Sequence, residues 1–132
     1  MAYPKTILCV DDDSDDRFFL CTTINKLNPA ISVIEKENGR DALNYLSDAK
    51  EKNRLPCLVV LDINMPVLDG KKTLEQIRAQ YADSELPVVI FTCSQNPNDK
   101  KMFKSKGVDM FTKPMDIAEL NDIVKNFLFH CS

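Results

Sequence analysis

The chain has little of what a membrane, zinc or nucleic-acid function would require. No apolar run approaches the roughly 20 residues of a membrane span, and the N-terminus lacks an apolar stretch of signal-peptide length, so the expected location is the cytoplasm. Base does not exceed acid. Seventeen Lys and Arg stand against 20 Asp and Glu, a net charge of −3, which argues against nucleic acid or an anionic membrane as partner. The single histidine, His130, has no partners at metal-ligand spacing, which argues against zinc. The five cysteines (9, 21, 57, 93 and 131) contain no C-x-x-C pair, and an odd number cannot close into a full disulfide set. Cys9, Cys57 and Cys93 lie in or beside apolar runs and read as small buried hydrophobes of a reducing compartment. There is no internal repeat, low-complexity segment or linker. A chain of 132 residues is then expected to be one domain over residues 1–132, with no output domain.

What is present is an alternation of strand-like and helix-like segments. Strands are expected at Thr6 to Asp11, Ser32 to Lys36, Leu58 to Asp62, Val88 to Thr92 and Met110 to Thr112. The third opens on four consecutive apolar residues, Leu58 to Leu61, bounded by Pro56 before and Pro66 and Gly70 after, the pattern of a strand buried on both faces in a parallel sheet. Ser14 can cap a helix carrying Leu20, Ile24 and Leu27, and Asn38 or Gly39 opens one with Ala42, Leu43 and Leu46. A third follows Asp69-Gly70 with Leu74, Ile77 and Tyr81 inward. A fourth runs from about Pro97 to Lys106, anchored by Met102 and Phe103 and stopped by Gly107. The fifth starts near Asp116 and carries Ile117, Leu120, Val124 and Phe127. Five βα units with right-handed crossovers imply an α/β fold, a doubly wound five-stranded parallel sheet of flavodoxin-like order 2-1-3-4-5.

In that order the first and third strands flank the topological switch point, where ligands bind at the carboxyl ends of strands. Both strands end in acid: Asp11-Asp12-Asp13 and Asp62. A lone strand-end Asp more often caps a turn, but three carboxylates in one crevice behave differently. Two of them about 4 Å apart repel by roughly 4 kcal/mol at an effective dielectric of 20, so the group must take up protons or bind a cation. Oxygen ligands without His or Cys suit a hard ion, and few protein ligands suit Mg²⁺ better than Ca²⁺. Asp15 and Asp16 read as solvated helix-start acids favoured by the macrodipole. The fourth strand ends in Thr92 and the fifth is followed by Lys113-Pro114. A metal, a hydroxyl and an ammonium converging on one carboxylate would polarise a phosphoryl group, and a cis peptide before Pro114 would fix where the ammonium points.

With Val10-Asp11-Asp12-Asp13, Arg17, Asp62-Ile63-Asn64-Met65-Pro66, Asp69-Gly70, Thr92 and Lys113-Pro114, the chain resembles the receiver domain of two-component response regulators along its whole length, and the single-domain chemotaxis regulator in particular. The resemblance implies a phosphoacceptor signalling protein rather than an enzyme, promoting only its own phosphorylation and dephosphorylation. Asp62 would take a phosphoryl group from a sensor histidine kinase or a histidine phosphotransfer protein. Asp12, Asp62 and the backbone carbonyl of Asn64 would hold Mg²⁺, Asp11 would act through a metal-bound water, and Thr92 and Lys113 would bind the phosphoryl oxygens. It also implies signalling to an unidentified downstream protein through the fourth helix, fifth strand and fifth helix. Phe127, Leu128 and Phe129 give more apolar surface than one helix face can bury, so either a homodimer forms on the fourth and fifth helices or Phe129 folds back on the sheet's edge. The switch aromatic of the family falls on Met110 counting back from Lys113 and on Phe111 counting forward from Gly107, because that segment is one residue short. A haloacid-dehalogenase-type phosphohydrolase would need a second acid where Asn64 stands. A flavodoxin-like redox carrier would need a hydroxyl- and glycine-rich loop where Asp11 to Asp16 would repel phosphate. A receiver serving only as an unphosphorylated interaction module is the remaining alternative.

Overall fold

The computed structural model describes residues 5–65, 67–94 and 96–132; Pro66, part of the motif above, lies outside them. Strands β1 (Thr6–Val10), β2 (Ser32–Lys36), β3 (Leu58–Leu61), β4 (Val88–Thr92) and β5 (Met110–Thr112) alternate with helices α1 (Ser14–Leu27), α2 (Gly39–Glu51), α3 (Gly70–Gln80), α4 (Pro97–Ser105) and α5 (Ile117–Leu128), and a 3₁₀ turn, η1 (Phe129–Cys131), follows. The sheet is parallel with order β2-β1-β3-β4-β5, and Leu8 pairs with both Ile34 and Val59 in register. Two apolar clusters lie on its faces. Leu8, Val59, Leu61 and Ile90 meet α2, α3 and α4 on one side. Ile7, Val60, Val89 and Phe91 meet α1 and α5 on the other. All four residues of β3 are buried, as a central parallel strand requires.

Helix starts follow side-chain chemistry, with one correction. Asn38, Asp69 and Asp116 accept from the backbone N–H of Asp41, Lys72 and Glu119. At α1 the cap is Asp13, which accepts from the N–H of Asp15 and Asp16, so Ser14 is the first helical residue instead of the cap. A carboxylate one residue earlier serves the exposed donors equally well. Gly107, at φ 72°, ends α4 as expected.

Four other expectations fail. Ile117 is 67% exposed, because it opens α5 before the helix reaches the sheet. The Lys113–Pro114 bond is trans; β4–β5 pairing already fixes the backbone there. Cys93 is exposed, and Cys57 is disulfide-bonded to Cys131, leaving only Cys9 of the three as a buried free thiol. The start of β3 and the C-terminal turn meet at one end of the sheet, a proximity across 74 residues that local pattern does not encode. Of the apolar residues at the end of α5, Phe127 is fully buried, edge-on to Phe91 and Phe111. Phe129 is 77% exposed.

Candidate functional site

The switch-point crevice is built from strand ends. Asp11 and Asp62 each extend the sheet by one hydrogen bond beyond its strands, Asp11 N–H to Lys36 O and Asp62 N–H to Val10 O, both at 3.0 Å. Those bonds fix both backbones, so both side chains project from the carboxyl edge. Asp11 is 4% exposed and Asp62 6%. Asp12 stands at the rim, exposed. One carboxylate oxygen from each of Asp11, Asp12 and Asp62 lies within 4.8 Å of the others.

Behind Asp62, α3 is pressed against the strand end. The Gly70 N–H donates to Ile63 O at 3.0 Å, and a Cβ on Gly70 would collide with the Asp62 carbonyl oxygen and the Ile63 Cα. The Asp69-Gly70 pair is therefore a cap followed by a residue that must lack a side chain. Asn64 N–H donates to Asp62 Oδ1 at 3.3 Å, leaving Oδ2 facing the crevice.

Lys113 crosses from β5. Its N–H donates to Thr92 O at 2.8 Å, and its Nζ donates to Asp11 Oδ2 at 2.6 Å, Asp16 Oδ2 at 2.7 Å and Asp62 Oδ2 at 3.4 Å. Burial works against the ammonium's charge, but the hydrogen bonds it donates to Asp11 and Asp16, with the charge of Asp62, raise its pKa above the ordinary lysine value. Asp11 shows the opposite strain. Burial pushes its carboxyl up to about 6; the Lys113 hydrogen bond and the Asp13 N–H pull it down, and the Asp62 charge adds to the rise. An acid held reluctantly in its charged form, beside two others, is a donor set short of positive charge. These are all hard oxygen ligands, and they fit a divalent oxygen-seeking cation.

Thr92 ends β4 with its side chain fully buried, and its Oγ1 accepts from the Ser94 N–H at 3.5 Å. The loop continues the chain of contacts. Ser94 Oγ donates to Asp99 Oδ2 at 3.3 Å, and Lys71 Nζ donates to Asp99 Oδ1 at 3.1 Å, which ties the start of α4 to the residues after Thr92. Arg17 closes the other side, donating to Asp11 O at 2.6 Å and to Glu35 Oε1 at 3.1 Å.

The structure thus gathers Asp11, Asp12, Asp62 and Lys113 in one place, with Thr92 bonded to Lys113 through its backbone. It also corrects the reading of Asp16, which is no mere solvated helix-start acid but a direct partner of Lys113. A first-turn acid is already explained by the helix dipole, and only a lysine 97 positions away reveals its second role. The Ser94–Asp99–Lys71 link was equally unmarked in the sequence.

Comparison with known proteins agrees with this geometry. Residues 7–125 match the family described as the response regulator receiver domain. Response regulator Rre1 of Synechocystis sp. is 33% identical over 129 residues, which are 97% of this chain and 53% of Rre1, so the chain spans about half the length of that curated relative. The Mn(2+)-bound form of response regulator Rcp1 superposes with a TM-score of 0.78 at 28% identity, over 95% of this chain and 92% of that one. The phosphorylated cyanobacterial phytochrome response regulator RcpA superposes with a TM-score of 0.84 at 26% identity, over 98% and 96%.

Proposed function

The chain belongs to the response regulator receiver domain family, whose members are phosphoacceptor signalling modules, and from that premise we propose that Asp62 accepts a phosphoryl group from a phosphohistidine of a sensor histidine kinase or phosphotransfer protein. The reaction is Mg²⁺-dependent, with Asp11, Asp12, Asp62 and the Asn64 carbonyl as the residues that would hold the ion. The observation that carries the reading is Lys113 Nζ reaching three buried or half-buried acids, Asp62 among them, beside a carboxylate cluster suited to a hard cation. When bound, the ion supplies the positive charge that lets three carboxylates and a phosphoryl group share one crevice.

The residues divide the work. The Asn64 N–H holds Asp62 Oδ1, so Oδ2 is the oxygen presented for in-line attack. Lys113 is poised on Asp11 and Asp16 and needs only a short shift to neutralise a phosphoryl oxygen on Asp62. Thr92 offers its hydroxyl to another oxygen; in doing so it draws on the Ser94 N–H that rests on Oγ1, and with Ser94 the Asp99 tie to α4. That chain converts a new anion into a changed α4 surface for a downstream protein. Met110, packed against the cluster that contains Phe103 and Val108 on the α4 side, is the β5 residue placed to respond, whereas the Phe111 ring is held edge-on by Phe127. With Phe127 buried, self-association through α4 and α5 would rest on Phe129 and the partly buried Leu128.

The test is intact mass after incubation with a small-molecule phosphodonor and Mg²⁺. One phosphoryl group should be gained, and none when the ion is chelated or in Asp62→Ala. No gain under any condition would support the interaction-only reading instead.

A further inference from the structure

The end of the sheet opposite the acid cluster holds the protein's second concentration of reactive groups. Cys57, immediately before β3, donates its N–H to Thr6 O at 2.8 Å, and its sulfur is bonded to that of Cys131, the last residue of η1. The two halves differ in access: Cys131 is buried in the cluster on the α1 and α5 side, and Cys57 is only half-buried at its edge. Lys5 Nζ donates to the Cys131 carbonyl at 2.8 Å, so an ammonium lies on the turn that carries the bond. A disulfide between one half-buried and one buried cysteine, with a cation on the turn that carries it, is arranged for exchange with an anionic thiol. Attack falls where the thiolate can reach, and the sulfur of the buried cysteine is the leaving group.

We propose that Cys57–Cys131 is a thiol–disulfide exchange site for low-molecular-weight thiols of the glutathione class, and that exchange there clasps and releases the C-terminal turn. In the reducing direction a thiolate attacks Cys57 Sγ; a new S–S bond forms on Cys57 while the bond to Cys131 breaks. The electron pair leaves on Cys131 Sγ, which takes a proton from water. A second thiolate attacks the outer sulfur of the mixed disulfide and releases the oxidised small molecule and the Cys57 thiolate. Two thiols are oxidised to one disulfide, and the protein pair gains two electrons. Glutathione disulfide drives the reverse. The bond closes a loop of 74 residues, so its loss removes a large constraint on the unfolded chain and lowers the melting temperature. It also frees the far end of α5, a helix whose near end follows Lys113. The acid crevice, at the other edge of the sheet, keeps its strand-end geometry.

The experiment equilibrates the protein in mixtures of reduced glutathione and glutathione disulfide, then denatures, alkylates and weighs it. A Cys93→Ser background removes the exposed single thiol. With five cysteines in the natural chain and two in the bond, this background should take two alkyl groups when oxidised and four when reduced. Glutathione in the intermediate should map to Cys57. Hydrogen exchange of residues 126–132 should quicken on reduction, and Cys131→Ser should show the quickened exchange at every ratio. Four alkyl groups even in glutathione disulfide alone, glutathione mapped to Cys131, or equal exchange in the two states would each overturn the proposal.

Discussion

At the scale of single residues the site is a balance between burial and charge, and Asp11 shows it most clearly. Its carboxyl is pushed up to about 6 by burial, above the ordinary value near 3.9, so the folded protein favours the protonated form. Ionising it therefore costs folding free energy. In chelator, the Asp11 contribution is most favourable below about pH 4 and is lost as pH rises through about 6. Two pK units correspond to roughly 3 kcal/mol. Asp11→Asn should accordingly gain stability on the wild type as pH rises from 4 to 7, measured as the difference between two denaturant-unfolding series. A difference that does not change with pH would contradict the assignment. Asp11, Asp12, Asp62, Thr92 and Lys113 were all legible in the sequence because each ends or follows an apolar strand. Asp16 was not, since its position already had a sufficient local explanation. Nor was Val67, which adopts a left-handed φ of 69° that β-branched residues disfavour, since nothing in its neighbours announces that turn.

At the scale of elements, the strands and helices were readable almost to the residue, because apolar period and capping residues agree along most of the chain. The exceptions are at ends. The β1 and β3 ladders each stop one residue before the expected acid, and α1 is capped by Asp13. The junction of β3 and α3 is where sequence and packing are most tightly bound. Gly70 leaves no room for a methyl group against the Asp62 backbone. Gly70→Ala should therefore destabilise the fold by about 1–3 kcal/mol, the usual cost of overpacking, and should lower phosphorylation of Asp62 by displacing its backbone. Chemical denaturation together with phosphorylation yield tests both. A variant of wild-type stability and yield would mean that α3 is not pressed on the strand as described. The α4 helix is held more lightly, with Phe103 as its buried residue and Asp99 as its polar tie to Ser94 and Lys71. An element so lightly fastened is suited to change position when Thr92 is engaged.

For the whole molecule, topology was legible because alternating βα units of this length admit few arrangements, and acid-ended strands at the switch point marked the edge where the carboxylates gather. The opposite edge was not legible. The Cys57–Cys131 bond depends on which chain ends the fold brings together, and an odd number of cysteines hid the pair. Among the described residues, no helix is long and apolar enough to cross a membrane, and the edge that carries the acids is a polar crevice. A cation that binds only the folded crevice should stabilise the entire domain, by about 2.7 kcal/mol at a concentration 100 times its dissociation constant. The melting temperature should therefore rise with added Mg²⁺ in the wild type and stay constant in Asp12→Ala. An equal rise in both would place the ion elsewhere.

The most direct test of the central claim is to locate the phosphoryl group. After reaction with phosphodonor and Mg²⁺, the labile acyl phosphate is reduced with borohydride, which converts the modified aspartate to homoserine, and the residue is found by peptide sequencing in the mass spectrometer. The account predicts homoserine at position 62 and none in chelator. Homoserine at position 11 or 12, or at 62 regardless of the metal, would contradict it.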